Sequence, residues 1–370
     1  MPPVLNDHAC MAEAFRLAEK GFFSVRRNPR VGCVIVRDDN IIARGYHARA
    51  GGPHAEIDAL ANATESVDRA TAYVTLEPCA HEGKTSPCTE ALVAANIGRV
   101  VVAIQDPNPL VDGRGLARLR EHGIETRCDV LQKEARELNK GFFKRMQTGL
   151  PHVTVKSAIS LDGKTALARG ESRWITGGPA RHDVQRLRAR SCAILSGIGT
   201  VLADDPQLTV RLSGEALGLS QAPEQPLRVV LDTGLRIPET ARVLHAPGKT
   251  ILYTCSQDAQ RVAALQGENV EVVTLQQRPL DLVKVMQDLG SREINEVLVE
   301  AGATVVGSLL KQGLVDEMAI YIAPHLIGES GRGLAELPLI SSMQERLGMR
   351  IEDVTVIGDD IRLLARPVPA

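Results

Sequence analysis

HAEIDALANATESVDRATAYVTLEPCAHEGKTSPC, residues 54–88, is the stretch on which the reading of the fold turns. It opens with His54-Ala55-Glu56 and ends with Pro78-Cys79 and Pro87-Cys88. One imidazole and two thiolates make three of the four ligands of tetrahedral zinc and leave one position for water, the pattern of a catalytic rather than a structural site. Zinc so held brings the pKa of a water to roughly 7. Glu56, two residues beyond His54, is left free to move a proton from that water to a ring nitrogen and a departing amine. A lone His or Cys is structural more often than not. The combination of His-x-Glu with two Pro-Cys pairs is what points to chemistry.

Working outward, Ala55 to Ala63 and Thr89 to Ala95 read as helices and Ala72 to Leu76 as a strand. Cys88 can therefore begin a helix and still point at the metal, although it follows Cys79 by nine residues rather than within one turn. Upstream, Asp7 to Phe23 has apolar residues at helical spacing (Met11, Phe15, Leu17, Ala18, Phe22), and Val31 to Val36 with Ile41 to Gly45 reads as a hairpin about Asp38-Asp39-Asn40. Downstream come a strand at Val100 to Ile104 and a helix at Gly115 to His122, so the first half is a layered α/β domain. Val130 to Gln147 reads as one long polar helix. Thr148-Gly149-Leu150-Pro151 breaks it and divides the chain into domains 1–149 and 150–370.

In the second half, strands are expected at His152 to Ala158, Ala193 to Leu195, Leu227 to Leu231, Thr250 to Tyr253, Val270 to Thr274, Val297 to Val299 and Met318 to Ile322, with Leu212 to Pro226 a surface loop. Gly197-Ile198-Gly199 is only a fragment of a dinucleotide fingerprint. Glu300-Ala301-Gly302-Ala303-Thr304-Val305-Val306-Gly307-Ser308 follows a buried-type strand and enters a helix. Such a helix start can hold a phosphate on its free N–H groups, or can be a plain tight turn.

A chain of 370 residues, 44% hydrophobic and 24% charged, suits two globular domains. The net charge is −2, and residues 1–150 carry 20 Lys and Arg against 19 Asp and Glu, so neither half has the basic excess that nucleic acid requires. A small-molecule substrate and no nucleic-acid partner follow. The N-terminus lacks a secretory pattern and no long apolar run occurs, which predicts a cytoplasmic protein with no membrane partner. Seven scattered cysteines fit a reducing compartment.

Pro78-Cys79-Ala80-His81-Glu82-Gly83-Lys84-Thr85-Ser86-Pro87-Cys88, preceded by Asn28-Pro29-Arg30-Val31-Gly32 and followed by Asp106-Pro107-Asn108-Pro109, resembles the deaminase half of the bacterial bifunctional RibD family of riboflavin biosynthesis. Ser86 stands where the family usually has a second Pro. The resemblance implies a cytidine-deaminase-like three-layer domain with one zinc ion per chain on His54, Cys79 and Cys88, and Glu56 as catalytic residue. It also implies Asn28, His47, His81, Lys84, Asp106 and Asn108 as contacts to a phosphoribosylated diaminopyrimidine. By themselves the Asn-Pro and Asp-Pro pairs are turn formers.

The resemblance continues through Val155-Lys156-Ser157-Ala158-Ile159-Ser160-Leu161-Asp162-Gly163-Lys164, Gly170-Glu171-Ser172-Arg173-Trp174-Ile175-Thr176, Leu187-Arg188-Ala189 and Gly199-Thr200-Val201-Leu202-Ala203-Asp204-Asp205-Pro206, covering nearly the whole chain. It implies a dihydrofolate-reductase-like α/β domain. Ala158, Trp174, Thr200, Asp204, Thr233 and Gly302, Ala303, Thr304, Val305, Val306, Gly307 and Ser308 would contact NADPH. Ser172, Arg188, Leu208, Arg211 and Glu300 would contact the ribosyl phosphate, with Arg188 and Arg211 suited to grip phosphate. The implied enzyme deaminates 2,5-diamino-6-(5-phosphoribosylamino)pyrimidin-4-one and then reduces the ribosyl side chain of the product to ribityl, as a homo-oligomer. The rival readings are a nucleic-acid base deaminase with a non-catalytic C-terminal binding domain, and a regulatory protein that kept the fold without the activity.

Overall fold

A computed structural model of the chain describes residues 6–80, 87–109 and 111–368. The chain divides into two compact units, Met1–Gly149 and Leu150–Ala370. In the first, α1 (Asp7–Glu19) leads into the hairpin β1 (Gly32–Arg37) and β2 (Asn40–Tyr46). Then follow α2 (Ala55–Ala61), β3 (Thr71–Val74), α3 (Cys88–Ala94), β4 (Arg99–Val102), α4 (Arg114–Glu121), β5 (Glu125–Arg127), α5 (Gln132–Leu138) and α6 (Lys140–Thr148). The sheet order is β2-β1-β3-β4-β5, with β1 antiparallel to both neighbours and the rest parallel.

Alternate strand residues point to opposite faces. Cys33, Ile35, Ala72, Val74, Val100 and Val102 therefore pack against α2, α3 and α4, while Val34, Val36, Tyr73 and Val101 pack against α1, α5 and α6. Burial on both faces is why these strands read as unbroken apolar runs, each Val or Ile contributing about 1.5–3 kcal/mol. Gly45 of β2 brings α2 close to the hairpin: a Cβ there would stand 2.2 Å from the Ala59 nitrogen. The helix that follows His54 is thus seated directly on the sheet.

Two expectations need correction here. The helix at Asp7 ends at Glu19, where the chain tightens into successive i→i+3 bonds (Lys20 to Leu17, Gly21 to Ala18) instead of running on to Phe23. The long helix over 130–147 is two helices that part at Asn139, whose φ of −118° is not helical. Its amide turns inward, donating to the Arg30 carbonyl at 2.9 Å and accepting from the Arg30 N–H at 2.8 Å. A contact 109 residues away in sequence, invisible to local periodicity, breaks the helix.

The second unit comprises β6 (His152–Ser160), β7 (Lys164–Ala166), α7 (Gly178–Arg190), β8 (Ala193–Gly197), α8 (Ile198–Asp204), β9 (Leu227–Leu231), α9 (Arg242–His245), β10 (Thr250–Thr254), α10 (Ala259–Leu265), β11 (Val270–Thr274), α11 (Leu282–Ser291), β12 (Glu296–Val299), α12 (Ala303–Lys311), β13 (Glu317–Ala323), β14 (Arg332–Gly333), β15 (Met349–Ile357) and β16 (Asp360–Pro367). Nine strands run in the order β11-β10-β9-β8-β12-β6-β13-β16-β15. All neighbours are parallel up to β13, and β16 and β15 are antiparallel additions. The largest core lies between this sheet and α11 and α12. Leu212 to Pro226 is irregular apart from one short turn, Glu215–Leu217. β5, β7, β14 and the β15–β16 hairpin were not among the expected strands. In open α/β sheets ligands bind beyond the carboxyl ends of the strands; β8 and β9 end together, β12 ends two residues short of them, and β6 runs on past all three.

Candidate active sites

In the first unit His54 is the residue before α2, Cys79 lies in the turn after β3, and Cys88 opens α3. His54 Nδ1 is 3.2 Å from Cys88 Sγ and 3.6 Å from Cys79 Sγ, and the three ligand atoms lie within 4.8 Å of one another. The turn is pinned because the Cys79 carbonyl accepts from both the N–H and the hydroxyl of Thr89 at 3.2 Å, while the Cys88 N–H donates to Cys79 Sγ at 3.4 Å. The hydrogen bond from the Cys88 thiol pulls the Cys79 thiol well below the usual range, against the effect of burial. The same pairing, with burial, pushes Cys88 up. A converging imidazole, a ready thiolate and a second thiol form a donor set that fits zinc.

Glu56 is 3% exposed. Burial pushes its carboxyl up to about 7. His47 donates from Nδ1 to the Pro53 carbonyl at 2.8 Å, so its Nε2 accepts from Asn28 Nδ2 at 3.2 Å. Burial lowers its pKa, consistent with a neutral ring. That ring meets His54 edge-on at 5.5 Å. Asp106 is buried, its carboxyl pushed up to about 7 by burial. Its Oδ1 accepts from the Asn108 N–H at 2.8 Å. His81 and Lys84 lie outside the described residues.

The second unit holds a cavity of about 1080 Å³. Ala158, Ser172, Trp174, Arg188, Thr200, Asp204, Leu208, Arg211, Thr233 and Glu300 all line it, as do Gly302, Ala303, Thr304, Val305 and Ser308 from the start of α12. Val306 and Gly307 are absent from this wall. Val306 belongs to the core, and a Cβ on Gly307 would stand 2.1 Å from the Glu336 carbonyl oxygen, so this glycine closes α12 against the following chain. Trp174, 68% exposed, is a wall and not a core residue, with the Arg181 guanidinium 4.6 Å from its ring centroid.

Arg188, expected to grip phosphate, makes its bonds within the cavity wall. Its Nε and Nη2 donate to the two oxygens of Glu300 at 2.5 and 2.9 Å, and Nη1 donates to the Thr209 carbonyl at 3.0 Å. The fork is already filled by a buried carboxylate. Arg211 is anchored through its backbone, whose N–H donates to Gln185 Oε1 at 2.8 Å. Its side chain reaches the cavity. Lys156 also lines the cavity and was not singled out from the sequence. Burial lowers its pKa, opposed by Glu300. A lysine inside the apolar run Val153 to Ala158 was the available signal.

Residues 151–363 match the family described as RibD C-terminal domain, and residues 5–104 match the cytidine and deoxycytidylate deaminase zinc-binding region. The chain is 47% identical to the riboflavin biosynthesis protein RibD of Escherichia coli K12 over 366 residues, covering 97% of this chain and 99% of that one. It is 43% identical to the Bacillus amyloliquefaciens RibD over 364 residues, 96% of this chain and 95% of the relative. Among solved structures, Acinetobacter baumannii RibD superposes with a TM-score of 0.90 at 45% identity, covering 98% of this chain and 99% of that one. The Thermotoga maritima diaminohydroxyphosphoribosylaminopyrimidine deaminase/5-amino-6-(5-phosphoribosylamino)uracil reductase superposes with a TM-score of 0.87 at 34% identity and covers 98% and 99% of the two chains.

Proposed function

The chain belongs to the RibD family of bifunctional riboflavin-biosynthesis enzymes, and on that footing we propose a specific reaction and residue roles for each unit. The first hydrolyses the exocyclic amine at C2 of 2,5-diamino-6-(5-phosphoribosylamino)pyrimidin-4-one, giving the uracil and ammonia. The second reduces the ribosyl group of that product to ribityl with NADPH. The observation that carries this reading is the convergence of His54, Cys79 and Cys88 beside buried Glu56, in a chain that also holds the large cavity of the second unit.

His54, Cys79 and Cys88 would hold zinc, which when bound would supply Lewis acidity toward a water. Glu56 takes up a proton on its buried carboxylate and delivers it to the ring nitrogen and the departing amine. Asn28, His47, Asp106 and Asn108 hold the pyrimidine, with His81 and Lys84 assigned to the same substrate. In the second unit the cavity would hold NADPH, which would supply the hydride, and the net change of the substrate is a hydride gained at C1′ and a proton gained at the ring oxygen. Lys156 lies on this wall within the electrostatic influence of Glu300, and we assign it that proton. Arg211 takes the substrate phosphate, with Arg188, paired to Glu300, beside it on the substrate side. Ser172, Leu208 and Glu300 complete the substrate side. Ala158, Trp174, Thr200, Asp204, Thr233 and the residues from Gly302 to Ser308 take the cofactor.

The test is one tube containing the protein and the diaminopyrimidine phosphate, followed for ammonia release and NADPH oxidation. Ammonia first and NADPH loss second is the expected order; neither signal from zinc-loaded protein would return the nucleic-acid reading, which the family membership disfavours.

We assign the protein to the cytoplasm; no helix among the described residues is long and apolar enough to cross a membrane. We further propose that two copies pair through β15. It is the edge strand of the sheet and exposes Ile351, Val354 and Val356 by 58, 58 and 72%. Arg350 and Glu352 already pair with each other at 2.6 Å within the strand, so the pairing of copies rests on the exposed apolar side chains and the free edge across a twofold axis. Light scattering on Val354→Glu/Val356→Glu should give the 39.9 kDa monomer, and the wild type a multiple of it.

A further inference from the structure

Glu77 stands one residue before Pro78-Cys79, is 4% exposed, and has no part in the roles assigned above. Its carboxylate accepts three backbone N–H groups: Oε2 from Asp106 at 3.1 Å and Gly113 at 3.0 Å, and Oε1 from Leu116 at 3.1 Å. Its own N–H donates to the Ile104 carbonyl at 3.0 Å. Gly113 and Leu116 belong to the start of α4, so a carboxylate from a distant segment caps that helix. The approach depends on Gly115, where a Cβ would stand 2.0 Å from the Pro78 carbonyl oxygen and 3.1 Å from Glu77 Cγ.

One side chain therefore joins three pieces of the first unit: the turn that carries Cys79, the segment from Asp106 to Asn108, and α4. Because Asp106 Oδ1 in turn fixes the Asn108 N–H, the attachment passes from Cys79 through Glu77 to both expected substrate contacts. We propose that Glu77 is a positioning residue for deamination, holding the Asp106–Asn108 segment in register with the metal-binding turn so that the pyrimidine is presented to Glu56. The inference rests on the deaminase reading of this site. A carboxylate is required because it offers an acceptor at both oxygens, whereas an amide turns an NH₂ toward at least one of the three N–H groups.

The test is Glu77→Gln in the full chain. The KM for the diaminopyrimidine phosphate should rise about tenfold or more, the scale of a buried partner lost. The kcat should stay within about threefold, and zinc content and NADPH-dependent reduction of the aminouracil phosphate should be unchanged. Amide exchange across residues 105–117 should quicken. Glu77→Asp, which keeps both acceptor oxygens, should recover part of the KM. Unchanged KM would overturn the proposal, as would unchanged exchange in 105–117. A fall in kcat that tracks lost zinc would also overturn it, since Glu77 would then serve the metal turn alone. A wild-type protein that releases no ammonia would instead fail the deaminase reading itself.

Discussion

The two units build their sites from opposite materials. The proposed metal ligands of the first, His54 to Cys88, lie within 34 residues of one another and sit where two helices begin and one strand ends. The cavity of the second draws from Lys156 to Glu336 and is assembled where parallel strands finish side by side. A site of the first kind leaves a motif, because ligand spacing follows from the lengths of adjacent elements. A site of the second kind leaves scattered single residues, because its neighbours are chosen by strand order.

The sharpest separation of the two comes from Glu56→Gln. Deamination should fall by about 10²–10⁴, with zinc retained and the reductase reaction of the second unit untouched. Ammonia release and NADPH oxidation on the separate substrates check this, and surviving deamination would take the proton role away from Glu56. In the same unit Cys88→Ser should lower bound zinc; unchanged metal content would remove Cys88 from the ligand set.

Next in size is Arg188→Met, which strands Glu300 in a buried setting. Removing one partner of such a pair costs about 3–5 kcal/mol, so denaturant unfolding of the second unit should move to much lower concentration. A variant that keeps its stability and only binds substrate more weakly would return Arg188 to the phosphate. Arg211→Ala should do the reverse. Its KM for the ribosyl phosphate should rise by about 10- to 100-fold, as for a charged hydrogen bond, and more than the KM for NADPH; the opposite ranking would move Arg211 to the cofactor side.

The smallest effect lies on the surface of the first unit. Asp7 accepts from Arg99 through two bonds at 3.0 Å, from Arg127 at 2.6 Å and from the Tyr73 hydroxyl at 2.9 Å. The Arg99 hydrogen bond, against burial and with help from Tyr73, holds its carboxyl below the usual range. A depressed folded-state pKa contributes stability above the unfolded value of about 3.9, and that contribution is lost as pH falls through the folded value. Asp7→Asn should therefore flatten the acid loss of stability in the first unit by less than about 1 kcal/mol, read from urea midpoints taken between about pH 6 and about pH 3. An unchanged acid profile would show the cluster to be energetically idle.

Much of this architecture is legible in the chain because its causes are local. Val-Ile-Val in β1 and Val-Val-Val in β4 mark strands covered on both faces, and Asp38-Asp39-Asn40 marks the hairpin. Other features stayed hidden for equally physical reasons. The break at Asn139 depends on Arg30. β15 alternates apolar with charged residues, but its apolar side is exposed on a sheet edge rather than facing a core. Lys156 reads as an ordinary residue of β6 until its neighbours Glu300 and Arg188 are known.

The sequence by itself determined the α/β character of both halves and offered His-x-Glu with two Pro-Cys pairs as a donor set that fits zinc, since spacing and side-chain periodicity act within a few turns of backbone. Only the tertiary structure decided what the charged groups are for. Arg188 meets Glu300 across 112 residues because β12 lies beside β8, and Glu77 reaches Asp106, Gly113 and Leu116 because α4 closes over the Cys79 turn at a glycine. Buried charge takes its partner from whatever the fold brings within about 3 Å, and that distance is not written in sequence order.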